Sequence, residues 1–276
     1  MPARALPPFA RPAVGLERSR RGEPLPPRTP SSAAARVSGR VARLAAVLLL
    51  AGCDGSSPTD PDPPRSAATI VFEDADLTAH EGVITELLSG TFERAGRALP
   101  LGPVRFVVAA DPPRVVPGWG MGGYTHGPTE VEIVVDPAYP GLADALVERL
   151  PAVAAHELHH TVRWRTVGPA STLLETMVLE GLADHFALDL TATAPPPWTT
   201  ALSESQISIY LARALPELDD PGYNYLAWFF GVGTDLPRWT GYTLGFHLVG
   251  AYLASHPGST AASLVATPAD AFRPAD

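Results

Sequence analysis

The chain has 276 residues, 46% of them hydrophobic, with 20 basic and 29 acidic residues and a single cysteine. That is enough apolar sequence for a folded core in one or two domains, while one cysteine excludes an intramolecular disulfide framework. Every basic residue is arginine, which excludes Schiff-base lysines and a phosphate-loop lysine, and beyond residue 52 there are 11 arginines against 27 acidic residues, a balance that argues against nucleic acid as a partner.

Residues 1–35 are rich in Pro, Arg, Ser and Ala with no sustained apolar period and read as disordered. Residues 36–53 differ: Arg36, Arg40 and Arg43 precede the apolar run from Leu44 to Gly52, which ends at Cys53. A charged region, a short apolar region and small residues at a cleavage point make a secretory signal, and the run is too short for a transmembrane helix. Leu50-Ala51-Gly52-Cys53 resembles the lipobox of bacterial lipoproteins. That resemblance implies a lipid on Cys53, a membrane anchor, and a domain held outside the cytoplasm in the bacterial cell envelope. The internal position of the signal implies a translation start near Val37 or Val41. Residues 54–66 form a polar, proline-rich tether, and residues 67–276 form the folded domain.

Within that domain, Thr69 to Glu73 is predicted as a short strand, and Thr78 to Ala98 as a helix with Val83, Leu87, Leu88, Phe92 and Ala95 on its apolar face. Val104 to Ala109 and Glu130 to Asp136 are further strands. Between them lies the glycine-rich stretch from Gly118 to Pro128, which reads either as a long hairpin loop or as part of an edge, from Gly120 to Val135, that offers backbone groups to extended substrate. His126 in that stretch reads as a loop histidine. Leu142 to Leu150 is helical, and Pro151 either kinks that helix or opens a new one. Gly168-Pro169 is a stop signal, and Thr172 with Glu175 matches a capping box. Leu202 to Leu215 and Trp239 to Ala254 are predicted helices, Pro195-Pro196-Pro197-Trp198 a rigid loop, and the aromatic run from Tyr223 to Phe230 core.

The chemistry concentrates at His156-Glu157-Leu158-His159-His160, an HExxH pattern within helical sequence. Residues four apart on a helix stand one above the other, so His156 and His160 can reach one metal ion, and Glu157 can take a proton from a water on that metal without being a ligand. His159 points away, toward solvent or a backbone carbonyl. Catalytic zinc usually takes three protein ligands and keeps an open position. For the third, the sequence offers Glu180 in Glu180-Gly181-Leu182-Ala183-Asp184, since a metzincin pattern fails at Arg163 and Thr166 and no inverted HxxEH motif is present.

HExxH followed by ExxA on a second helix resembles the gluzincin group of metallopeptidases, and within it the zinc-dependent protease lipoproteins of bacterial envelopes. The resemblance implies an α+β zincin-like fold, a small N-terminal sheet with helices and a mostly helical C-terminal half, with Zn²⁺ between the two motif helices. It implies His156, His160 and Glu180 as ligands, Glu157 as general base, and Asp184 as the carboxylate that orients a zinc-bound histidine. Gly241-Tyr242-Thr243-Leu244-Gly245 places Tyr242 like the tyrosine that follows the zinc motifs in aminopeptidase-like gluzincins, which implies an oxyanion donor. A tyrosine at the edge of the core is the alternative, and His247 the next donor. The expected substrate is a peptide or protein. A non-catalytic zinc-binding envelope lipoprotein and a zincin acting on a non-peptide amide are the competing functions.

Overall fold

The computed structural model describes residues 67–274, so the disordered segment, signal, Cys53 and tether expected over residues 1–66 lie outside the described residues. The first strand, β1 (Ala68–Phe72), pairs in parallel with β2 (Val104–Ala110), and the two are joined through helix α1 (Glu81–Ala95), as a parallel pair requires a crossover. The edge strand β3 (Met121–Thr125) runs antiparallel to β4 (Glu130–Val135), which in turn pairs in parallel with β2, giving the order β1-β2-β4-β3. The interior position of β2 explains its sequence. Val104 and the run from Phe106 to Ala109 are all buried, the near-continuous apolar signature of a strand covered on both faces.

Helix α1 is shorter than its periodicity predicts at both ends: residues 78–80 form a turn that follows a 3₁₀ turn at 75–77 burying Leu77, and the helix stops at Ala95. Its buried face is Ile84, Leu88, Thr91, Phe92 and Ala95. Val83 and Leu87, expected on that face, flank it half-buried.

Helix α2 (Leu142–Thr166) runs unbroken for 25 residues with Pro151 inside it, so no new helix begins at the proline. The ring removes the bond to the carbonyl of Val147, and the turn that loses it is open to solvent, with Val147 58% exposed. The Gly168-Pro169 stop holds: Gly168 has φ +99°, and the Val167 and Gly168 amides both close on the Arg163 carbonyl. Helix α3 (Leu173–Thr191) then opens with the expected capping box between Thr172 and Glu175, two otherwise orphaned amides satisfied by side chains. Helix α4 (Glu204–Ala214) opens with a second capping box, Ser203 with Gln206. The aromatic run forms helix α5 (Tyr225–Phe230), with Trp228 and Phe229 in the core as expected. Helix α6 (Thr240–Ser255) completes the helical half.

The result is an α+β fold: a small mixed sheet, followed by a mostly helical C-terminal half. Helix α2 joins the two layers, packing on α1, β3 and β4 on one side and on α3 on the other. The closest helix crossing is that of α3 with α6. A Cβ placed on Gly181 would sit 2.2 Å from the Gly245 carbonyl oxygen, and one on Gly245 would sit 2.0 Å from the Met177 carbonyl oxygen. Only hydrogen side chains allow this approach. It brings the start of α6, with Tyr242, beside Glu180.

Candidate metal centre

The face of α2 that carries His156, Glu157 and His160 meets the face of α3 that carries Glu180 and Asp184. One ligand atom from each of His156, His160 and Glu180 lies within 4.8 Å of the others, close enough to share one ion. The two imidazoles stand edge to face with centroids 4.5 Å apart. His156 Nε2 lies 3.1 Å from Glu180 Oε2, and His156 Nδ1–H donates to Asp184 Oδ1 at 2.9 Å. Nδ1 thus points at Asp184, which leaves Nε2 for a metal, the arrangement by which an outer carboxylate fixes a ligating histidine. His160 is 3% exposed, and neither ring nitrogen makes a hydrogen bond, although Nε2 lies 3.5 Å from Glu180 Oε2. A buried imidazole with both nitrogens unbonded is costly in a protein interior. A metal held by His160 would give one of these nitrogens the partner it lacks.

The field at the site also suits a cation. Burial opposes charge on His156, yet Asp184, Glu180 and Glu157 hold its imidazole well above the ordinary range. Burial acts to raise the Glu180 carboxyl, but the imidazoles of His160 and His156 hold it at about 2, so it stays ionised. Two neutral-capable imidazoles and one carboxylate form the donor set of a catalytic zinc site, and the residues present fit that ion.

Glu157 is 4% exposed and turned toward the edge strand rather than into the ligand cluster. Its Oε2 lies 2.8 Å from Thr125 Oγ1 on β3. A Cβ on Gly123 would fall 2.6 Å from Glu157 Cγ, so a glycine at that strand position makes the space for this carboxylate. The expected edge strand is therefore present as β3, and its glycines line the cavity beside Glu157. His126, expected as a loop histidine, is half-exposed and bonds Glu132 at 2.8 Å, away from the ligand cluster. His159 is fully buried and faces the Ala261 carbonyl at 3.4 Å; of the two expected orientations, the one toward a carbonyl is realised.

A cavity of about 560 Å³ opens onto His156, Glu157, Glu180 and Asp184. Tyr242 lies in its wall, 4% exposed and packed edge-on against Phe229. Burial, with Tyr225 and Glu180 nearby, pushes its hydroxyl well above the ordinary phenol range, which keeps it protonated and able to donate. His247, the alternative donor, is exposed on α6 and does not line the cavity. The rest of the wall is mostly apolar, with Trp119, Trp198 and Trp239 prominent in it.

The family model described as "Predicted Zn-dependent protease (DUF2268)" matches residues 106–273, a span that contains the ligand candidates His156, His160 and Glu180 as well as Glu157, Asp184 and Tyr242. The chain belongs to the DUF2268 family. Within the curated proteins, this DUF2268 member is 26% identical over 161 residues to the uncharacterized protein YjfC of Bacillus subtilis (strain 168), across 53% of this chain and 52% of that one. It is 32% identical over 128 residues to the uncharacterized protein YjaZ of the same organism, across 44% and 48%. The chain spans about half the length of these curated relatives. No solved structure matches it.

Residues of the site that sequence reasoning did not single out are Thr125, Gly123, Trp119 and Trp198. The glycine-rich run and the proline-flanked tryptophan were visible, but nothing in either places it against a motif on another element.

Proposed function

We propose that this DUF2268 protein is a zinc-dependent peptidase that hydrolyses peptide bonds with Glu157 as general base. The observation that carries the reading is the convergence of His156, His160 and Glu180, two of which line a cavity, with a buried carboxylate alongside that is not needed for coordination. When bound, zinc supplies Lewis acidity, polarising a carbonyl and lowering the pKa of water toward about 7.

The chain's own residues divide the remaining work. His156, His160 and Glu180 hold the ion, and Asp184 orients His156. Glu157 accepts the proton of the attacking water and delivers it to the leaving amine. Tyr242 donates its hydroxyl hydrogen to the oxygen on which negative charge develops. Gly122 and Gly123 of β3, which line the cavity, offer backbone groups to substrate in extended form. Beyond the catalytic domain, the lipobox-like sequence ending at Cys53 supports a lipid-anchored protein of the bacterial cell envelope, with peptide or protein substrates met outside the cytoplasm.

The experiment is zinc content and cleavage of a mixed peptide library for the full chain and its Glu157→Gln variant. About one zinc per chain in both, with cleavage lost in the variant, supports the peptidase and its base together. Zinc without cleavage by the parent moves the assignment to a zinc-binding envelope protein, and absence of zinc removes it altogether.

A further inference from the structure

Trp198 is the wall residue whose contacts reach in two directions. On one side its Nε1–H lies 3.0 Å from Asp184 Oδ1 and 3.1 Å from Oδ2. Asp184 is 2% exposed, and its Oδ1 also accepts from His156 Nδ1 at 2.9 Å. On the other side the indole ring faces the cavity, 4.7 Å from the ring of Trp119 and 6.5 Å from that of Trp239. We propose that Trp198 joins substrate recognition to metal retention: its ring walls a chamber for a bulky apolar substrate side chain, and its N–H holds the carboxylate that fixes His156. The proposal rests on the zinc peptidase reading and names the substrate class for it.

Three features make the residue suited to both tasks. The first is its anchoring. Thr243 Oγ1 donates to the Trp198 carbonyl at 2.7 Å and accepts from the Ala201 amide at 3.2 Å. The loop is thereby tied to α6 one residue from Tyr242, and the three preceding prolines restrict its backbone. The second is the chemistry of Asp184. A buried carboxylate needs donors for its lone pairs, and the indole N–H, shared between both oxygens, and the imidazole N–H at Oδ1 provide them. Without the indole the imidazole remains, but the carboxylate is free to turn. The third is the chamber itself. Val116, Val153 and Leu188 also line the cavity, and the Arg149 guanidinium stands over Trp119 at 5.5 Å. That composition accepts aromatic and branched aliphatic side chains.

The two roles use different parts of one side chain, so two substitutions separate them. Trp198→Phe keeps an aromatic ring and removes the donor; Trp198→Gln keeps an N–H donor and removes the ring. Each full-length variant, checked for a parent-like thermal transition, is stripped of metal and its zinc affinity measured against a competing chelator. Its kcat/KM is then compared on two peptides that differ only in Phe or Ala beside the cleaved bond. We expect Trp198→Phe to bind zinc about tenfold more weakly, the range for loss of an outer partner, while still preferring the Phe peptide. Trp198→Gln should bind zinc as the parent does and lose that preference. Unchanged zinc affinity in Trp198→Phe, retained preference in Trp198→Gln, or equal loss of both properties in the two variants overturns the coupling alone. A parent that takes up no zinc overturns the coupling and the metallopeptidase reading together.

Discussion

The Thr125–Glu157 contact gives the sharpest quantitative expectation. Thr125 Oγ1 lies 2.8 Å from Glu157 Oε2 and 3.0 Å from the Glu157 backbone carbonyl, with both residues 5% exposed or less. A hydroxyl carries one hydrogen, and the nearer, charged oxygen takes it, since charge-assisted bonds are the stronger ones. Thr125→Val is close to isosteric and removes only that donor. The Glu157 carbonyl keeps its helical partner in the interior of α2, so the fold loses little. A hydrogen bond to a charged group is worth about 1.5–3 kcal/mol, which corresponds to about a 10- to 100-fold fall in kcat when it positions the general base. KM and zinc content should stay near the parent values, and Thr125→Ser, which restores the hydroxyl, should recover most of the rate. Steady-state kinetics on a single cleavable peptide decides the matter. Parent-like kcat in the valine variant, or no recovery in the serine variant, would refute the positioning role.

Four further outcomes follow from the same geometry. Tyr242→Phe should cut turnover with zinc content intact, as metal analysis beside kinetics would show; unaltered turnover removes it from the mechanism. Gly181→Ala should destabilise the fold by about 3 kcal/mol, the upper end of ordinary overpacking, because its Cβ meets a carbonyl oxygen of α6 rather than a side chain that can move; a parent-like denaturation midpoint would contradict that. Chelating the metal should lower the thermal transition, and zinc at about a thousandfold excess over its dissociation constant should restore about 4 kcal/mol; a transition indifferent to chelator counts against the site. Finally, hydrogen bonds from His126 and Arg114 hold the partly buried Glu132 carboxyl at about 2 against an ordinary 4.5, with burial opposing. Its folded value is the lower one, so the stabilisation is present above about pH 4.5 and lost as pH falls toward about 2. His126 is raised above 6.5 by the same partner, so its share is full below that pH and fades as pH rises through the raised value. The stability gap between the parent and Glu132→Gln, read from urea midpoints, should therefore narrow at both ends; a gap constant with pH would show that the cluster contributes nothing.

Much of the site was legible because its parts are local. His156 and His160 share a face through helical spacing alone, and Glu180 and Asp184 do so on the next helix. The capping box at Thr172 and the stop at Gly168 fixed where one motif helix ends and the next begins. The misreadings were also local in origin. Helix α1 starts late because residues 78–80 form a turn after the 3₁₀ segment that buries Leu77, and Pro151 was absorbed because its missing bond falls where the helix is exposed. For His159, where solvent and a carbonyl were both open, the Ala261 carbonyl and the Phe186 ring decide in favour of burial.

The sequence by itself determined the α+β class, the two motif helices and the residue types able to hold zinc, because periodicity, caps and i, i+4 spacing are properties of neighbouring residues. Only the tertiary structure decided which partners those residues meet. Thr125 reaches Glu157 because β3 lies against α2; Tyr242 reaches the cavity because Gly181 and Gly245 let α3 and α6 touch backbone to backbone; Trp198 reaches Asp184 because Thr243 ties its loop to α6. Each of those contacts depends on packing between elements far apart in the chain, and packing depends on shape in three dimensions that no spacing along one segment encodes.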